Sequence, residues 1–220
     1  NKYYVPNNIA ICLSGDLDPD KTVASIEKYF GNWKPSAHID VPQFPTQPAL
    51  TAPVDTTVVG KEAPMLFMGW RADASKSLQL DTLEVIAQLL SNGQAGLFDL
   101  DLSQKLKVQE VSAGIADMDE YSVFYVYGQP KSGQTLQEVR SLALSEIEKL
   151  KKGNFSDDLL PSIVNNYKRY YYTQLDNNQF RAKQYVDAFI NHKDWKQEVD
   201  KLNRISKLTK AEIVKFANQF

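Results

Sequence analysis

The sequence predicts an α+β fold, in which an antiparallel strand pair is followed by a long helical half. Segments 108–116 and 121–128 read as two strands, and in the second of them Tyr121, Val123, Tyr125 and Tyr127 alternate with smaller or apolar residues. The acidic turn 117–120 makes the pair an antiparallel hairpin. From residue 136 onward apolar residues recur at helical spacing. The 220 residues, 43% of them apolar, are enough for one large domain or two small ones.

The opening of the chain contains a short apolar run at residues 9–13. Asn-Asn precedes the run and Ser-Gly-Asp follows it, and its residues are apolar on both faces. This pattern predicts a central strand that is covered on both sides. The only cysteine, Cys12, lies inside the run, so we expect it to be a small buried hydrophobe.

A helix is predicted directly after this run. Asp18 is suited to the N-cap and Pro19 to the first helical position, where no backbone N–H is needed. Gly31 is expected to end the helix in a left-handed conformation. The face expected to pack back on the strand consists of Val23, Ile26 and Phe30.

A proline-rich connector follows at about 34–54, and its five prolines exclude a helix. Two further strands are predicted at 56–59 and 65–70, on either side of a turn at 60–62.

The next helix is predicted to open at Asp73 or Ser75 and to end near Gly93, with one apolar face made of Leu80, Leu83, Ile86 and Leu90. A short, partly helical segment comes before the hairpin. After the hairpin, helices are predicted over 136–150, 158–175 and 178–190. A last helix begins at Thr209, whose hydroxyl forms a capping box with Glu212.

The opening stretch YYVPNNIAICLSGDLDPDKTVASIEKYFGNW resembles the start of the second, non-catalytic half of insulinase/pitrilysin-like zinc metallopeptidases. Looser matches in the same order continue along nearly the whole chain. The resemblance implies a mostly antiparallel sheet with helices packed largely on one face. The residues that match the family pattern in the opening stretch are Tyr3, Tyr4, Pro6, Asn7, Asn8, Gly15, Asp16, Phe30, Gly31 and Trp33.

The zinc site of that family is missing from this sequence. Family members hold one zinc with an inverted H-x-x-E-H helix and a distant glutamate, whereas this chain has only His38 and His192, both expected at the surface. We therefore expect no metal, no cofactor and no catalytic residue in this chain, and zinc in a separate catalytic domain. Ser103 and Glu110 stand where the partner half of the family carries an Arg and a Tyr. This implies the non-catalytic domain that directly follows the zinc domain.

The resemblance implies a substrate-binding segment at Val111, Ser112, Ala113, Gly114, Ile115 and Ala116. In the family such a strand offers its edge to the N-terminal part of a peptide substrate, and small side chains leave room for close approach. Gly114 is equally consistent with a β-bulge or with simple packing in the hairpin. The chain is expected to frame a substrate chamber as a single domain over 1–220. Its expected partners are a zinc-bearing catalytic domain, a second clamshell half in the same or a partner chain, and a peptide.

Two other kinds of protein remain open at this stage: a structural homologue that keeps the fold without proteolysis, and an unrelated α+β binding module. The chain begins with Asn1, and its last helix resembles the one that precedes a YYVPNN-type strand, so we expect a domain cut from a longer protein.

Nucleic acid is not expected as a partner, and no membrane span is expected. The formal net charge of −2 gives no global basic field, and the tyrosines of the basic stretch NNYKRYYYTQ point in different directions on a helix. No apolar run reaches the ~18 residues that a membrane span requires. The acidic pairs Asp99/Asp101 and Asp117/Asp119 are better explained as solvated loop residues than as acid–base catalysts.

Overall fold

A computed structural model describes residues 2–42, 44–45 and 47–219. The chain divides into two compact units, one reaching to Glu62 and the other beginning at Ala63. None of the described helices is long and apolar enough to cross a bilayer.

The first unit contains a short 3-10 turn, Pro6–Asn8, and helix α1, Pro19–Phe30. The predicted cap is confirmed, because the Asp18 carboxylate accepts a hydrogen bond from the Lys21 N–H at 3.2 Å. Two contacts hold the loops around α1. The Asn7 side chain bonds both backbone groups of Ser36, at 3.0 and 3.1 Å. The rings of Phe30 and Trp33 meet edge to face at 5.2 Å.

The prediction of a central strand at 9–13 is wrong. The segment forms no strand, Cys12 is only half-buried, and Ile11 is 44% exposed. An apolar run becomes a strand only where it finds another strand to pair with, and the described residues up to Glu62 contain none. The predicted strand at 56–59 is absent for the same reason, and Val59 is almost fully exposed.

Two details of α1 also differ from the prediction. The helix buries no residue, so the face carrying Val23 does not pack on a strand. Gly31 ends the helix at the predicted position. Its φ of −62° is an ordinary right-handed conformation and not the left-handed one that was predicted.

The second unit contains a three-stranded antiparallel sheet made of β1, Leu66–Ala72, β2, Glu110–Ala116, and β3, Ser122–Gln129. The strand order is β1-β3-β2, so β3 is central and the other two strands form the edges. The predicted hairpin is confirmed. Tyr125 lies opposite Gly69 on β1 and opposite Gly114 on β2.

Six helices accompany this sheet: α2, Gln79–Leu90; α3, Leu136–Lys151; α4, Leu159–Leu175; α5, Asn178–Ile190; α6, Trp195–Ser206; and α7, Lys210–Gln219. Helices α2 and α3 contact the strands directly and cover one face of the sheet, where Phe124 and Val126 of β3 are buried, whereas Tyr125 and Tyr127 on the other face are only half-buried. The predicted α+β class, with helices largely on one face, is confirmed. The largest fully buried side chains are Phe98, Leu83, Leu89, Leu90, Leu102, Leu150, Ile205, Ile213, Val126 and Val139.

Local sequence signals account for most of these helices. The capping box of Thr209 and Glu212 is present, and a second one joins Thr135 to Glu138 at the start of α3. Gly153 follows α3 with φ 72°, a value that favours glycine. Pro161 falls in the first turn of α4, where it is tolerated.

Helix α2 begins later than predicted. Neither Asp73 nor Ser75 caps it, because both residues hold the preceding loop against the hairpin. The Ser75 N–H donates to the Met118 carbonyl at 2.9 Å, and the Asp73 carbonyl accepts from the Ser122 N–H at 3.0 Å. The helix therefore starts only at Gln79, after Leu78 and without a side-chain cap.

Candidate functional site

The six predicted substrate-binding residues all lie on β2, at an edge of the sheet. Val111 is buried, Ala116 is exposed, and the four residues between them are half-buried. Within the unit from Ala63 to Gln219, no strand pairs with the side of β2 that faces away from β3. The strand therefore presents backbone along that side, the usual property of a sheet edge.

Two hydrogen bonds show which backbone groups of the central strand face each neighbour. The Gln129 carbonyl accepts from Gln109 on the β2 side, and the Ser122 N–H donates to Asp73 on the β1 side, both at 3.0 Å. Backbone direction alternates along an antiparallel strand. Odd-numbered residues of β3 therefore bond β2, and even-numbered residues bond β1.

The same alternation defines the outer edge of β2. Ser112 and Gly114 lie opposite Tyr127 and Tyr125, so their N–H and C=O groups point inward to β3. The N–H and C=O groups of Val111, Ala113 and Ile115 point outward, away from β3. We call the outward backbone groups of these three residues the β2 outer edge.

Gly114 is packed against the ring of Tyr125. A Cβ atom at Gly114 would lie 2.6 Å from the Tyr125 hydroxyl oxygen, which is closer than real Cβ contacts. The register opposite β3 runs without interruption from Glu110 to Ala116. Gly114 is thus not a bulge, and its small size serves the packing of the hairpin.

A cleft of about 240 Å³ adjoins the C-terminal half of β2 on the side of the sheet that the helices cover. Ala113, Gly114 and Ile115 all line it. Because successive strand residues point to opposite faces, a cleft lined by three in a row reaches the backbone of the strand. The other walls are formed by α2, α4 and α6 through Leu80, Glu84, Val85, Ala87, Gln88, Ile163, Tyr167 and Ile205.

Charged pairs hold α6 against α2 behind this cleft. The Arg204 guanidinium bonds the largely buried Asp81 carboxylate through Nε and Nη2, both at 2.8 Å. The Lys201 ammonium bonds Glu84 at 2.9 Å. Burial is the largest single influence on Lys201 and opposes its charge, but Glu84, Tyr167 and Asp81 together outweigh burial, so the pKa of Lys201 is raised. Burial also raises the pKa of Tyr167, whose hydroxyl therefore stays protonated.

The acidic residues before β2 are structural. Asp99, in a π-helical turn at Asp99–Ser103, accepts hydrogen bonds from the backbone N–H groups of Asn92 and Gly96, at 2.8 and 2.9 Å. Asp101 bonds Lys105 at 2.6 Å and Lys149 at 2.8 Å, and these bonds hold its pKa well below the usual range. The prediction that these two residues are solvated loop residues is therefore wrong, because Asp99 is buried and both carboxylates hold local structure.

Both histidines are exposed, as predicted. His38 lies 2.7 Å from Asp40, and His192 follows α5 with φ 51°. Among the described residues, no group of three or more His, Cys, Asp or Glu side chains is placed to hold a metal ion.

The cleft was not predicted from the sequence, because α6 was missed. A signal for α6 was present: Asp194 caps it by accepting from the Lys196 N–H, and apolar residues recur at 199, 202 and 205. The tyrosines of α4 do point in different directions, since Tyr167 lines the cleft while Tyr170 is exposed.

A family model described as "Peptidase M16 inactive domain" matches residues 1–167. The chain is also 24% identical over 227 residues to a protein from Helicobacter pylori named "Zinc protease PqqE", covering 99% of this chain and 50% of that protein. The chain thus spans about half the length of the curated relative that it matches.

Solved structures support the same fold. A protease from Helicobacter pylori superposes with a TM-score of 0.82 at 21% identity, over 94% of this chain and 51% of that one. The first half of the periplasmic protease PqqL from Escherichia coli gives a TM-score of 0.65 at 10% identity, over 93% and 47%. At these identities, the likeness concerns the fold alone.

Proposed function

Because this chain belongs to the M16 (insulinase-like) peptidase family, as a member of its inactive-domain group, we propose that it forms a wall of a peptidase substrate chamber and binds peptide along the β2 outer edge. In this family zinc belongs to the catalytic domain. The proposed role of the present chain is to hold the substrate, not to cut it.

The observation that carries this proposal is the outer edge itself. Val111, Ala113 and Ile115 point backbone donors and acceptors outward, and no strand of their unit covers them. The side chains along the strand are small at Ser112, Ala113 and Gly114. An extended peptide can therefore come close enough to add a fourth strand to the sheet.

Binding through the backbone has a predictable energetic character. Each main-chain hydrogen bond contributes about 0.5–1.5 kcal/mol net, since the peptide exchanges bonds with water for bonds with protein. The sum over a short strand is modest and depends little on which side chains the peptide carries. We propose that this edge retains varied peptides while a partner domain performs the chemistry.

We propose that the partners are a zinc-bearing catalytic domain and a second clamshell half, in the same or another chain. Two observations support them. The chain spans about half of its curated relative, and that relative is named a zinc protease.

The test is a proline scan of the two sheet edges, made in the protein at its native length. Ala113→Pro removes one outward N–H from β2 and leaves the ladder to β3 intact, because proline is tolerated at edge positions. Gly69→Pro is the matched control, since the Gly69 backbone points outward from the opposite edge. The readout is the affinity for a fluorescently labelled, unstructured peptide.

We expect Ala113→Pro to weaken peptide binding by about tenfold, from the lost hydrogen bond and the steric block, while Gly69→Pro binds as the native protein does. Equal affinities in a folded Ala113→Pro variant would rule out the β2 outer edge. A native protein that binds no peptide would favour a structural homologue without proteolysis.

A further inference from the structure

The cleft lies beside the β2 outer edge, along which the proposed peptide would run. We propose that this cleft is a side-chain pocket, which takes one apolar and preferably aromatic side chain from the peptide residue paired with Ala113. The inference rests on the proposed docking of peptide at the β2 outer edge. It adds a preference for one class of side chain to recognition that otherwise goes through the backbone.

The orientation of β2 directs a peptide side chain into the cleft. Ala113 pairs with the buried Val126, so its side chain lies on the side of the sheet that the helices cover. Residues directly opposite each other on neighbouring strands point their side chains to the same face. A peptide residue that pairs with the outward groups of Ala113 therefore projects toward α2 and α4, where the cleft lies.

The size and lining of the cleft suit a ring. Its volume of about 240 Å³ exceeds the ~150 Å³ of an apolar cavity that is known to bind benzene. Leu80, Ile163 and Ile205 provide buried apolar surface in its walls. A bound aromatic side chain would remove its own apolar surface from water against these walls, the main favourable contribution to binding of this kind.

The charges near the cleft favour an uncharged side chain. Glu84 is paired with Lys201 at 2.9 Å, and Asp117 with Lys193 at 3.3 Å, so each acid on the lining already has a cationic partner. A charged peptide side chain would lose water there without gaining a free counter-charge. Tyr167 also lines the cleft, and its hydroxyl, which bonds Lys201, retains a proton that it can donate to the oxygen of a peptide tyrosine.

The experiment uses a host peptide of Ser, Thr and Gln residues with one central position changed to Phe, Leu, Ala or Glu. Gln88→Trp narrows the mouth of the cleft from an exposed helix position. Gln79→Trp is the matched control, because Gln79 is exposed on the same helix but does not line the cleft. Affinities are measured with the protein at its native length, and melting curves verify that both variants are folded.

We expect the Phe peptide to bind about tenfold more tightly than the Ala peptide, with Leu between them and Glu no better than Ala. Gln88→Trp should abolish the preference for Phe while retaining the affinity for the Ala peptide, and Gln79→Trp should keep both.

If the native protein binds the Phe and Ala peptides equally, and Ala113→Pro weakens the binding of both, the pocket is overturned and the docking edge is left intact. A preference for Phe that survives Gln88→Trp would also overturn the pocket. Absence of binding by every peptide would overturn both proposals.

Discussion

The two edge strands occupy equivalent positions on either side of β3, yet their outer edges differ in chemistry. On β1 the bulky side chains of Phe67 and Arg71 stand beside the outward backbone, with Phe67 stacked on Tyr125 at 5.4 Å and Arg71 over the Tyr121 ring at 4.9 Å. On β2 the outward positions carry the aliphatic residues Val111, Ala113 and Ile115, and the residues between them on the uncovered face, Ser112 and Gly114, are small. An approaching chain therefore meets larger side chains at β1 than at β2.

The cavities beside the two strands differ in the same way. A cavity of about 140 Å³ lies between α2, α3 and α7, and β1 contributes the side chain of Trp70 to its lining. The cleft beside β2 instead includes three consecutive strand residues. An edge position alone does not define a docking strand. Accessible backbone next to an open pocket distinguishes β2 from β1.

The largest effect on stability is expected at the ion pair of Arg204 and Asp81, which holds α6 against α2 behind the cleft. Arg204→Met leaves the Asp81 carboxylate largely buried without its main partner, and we expect a loss of about 2–4 kcal/mol in the free energy of unfolding. Chemical denaturation measures it. The double variant Arg204→Met with Asp81→Leu should recover much of the loss, since both charges are then gone. A single variant as stable as the native protein would mean that the ion pair does not hold α6 on α2.

A second comparison separates the inward and outward groups of β2. Gly114→Pro removes an N–H that points to β3 and places a ring where Tyr125 packs, so we expect a loss of about 1–3 kcal/mol. Ala113→Pro should lose less than about 1 kcal/mol, because its N–H points outward. Thermal or urea unfolding gives both values. The reverse order would show that the assignment of inward and outward groups is wrong.

The smallest effect concerns the turn before β2. Asp101 has a lowered pKa in the folded state, so its contribution to stability is present above the ordinary aspartate pKa of about 4 and is lost as the pH falls further. Asp101→Asn should be about 0.5–1 kcal/mol less stable at neutral pH, the usual value for a partly exposed ion pair. The two stability curves should converge in acid. Parallel curves over that range would contradict the assigned role.

The sequence alone predicted the elements whose signals are local. The alternation in β3, the capping box at Thr209 and the glycine after α3 all correspond to the structure, because short-range geometry decides them. The run at 9–13 had an equally clear apolar pattern but forms no strand, since pairing depends on another segment. The cleft depends on long-range packing of α4 and α6 against α2, beside β2, which no local pattern encodes.

The most direct test of the account is amide hydrogen exchange, followed by NMR, in the protein at its native length with and without a bound peptide. In the free protein, the N–H groups of Val111, Ala113 and Ile115 should exchange faster than those of Ser112 and Gly114, which bond to β3. On addition of peptide the three outward amides should become protected, whereas the Gly69 amide on β1 should not change. Protection that appears at Gly69 instead, or at neither edge while peptide is bound, would contradict the claim that β2 is the docking strand.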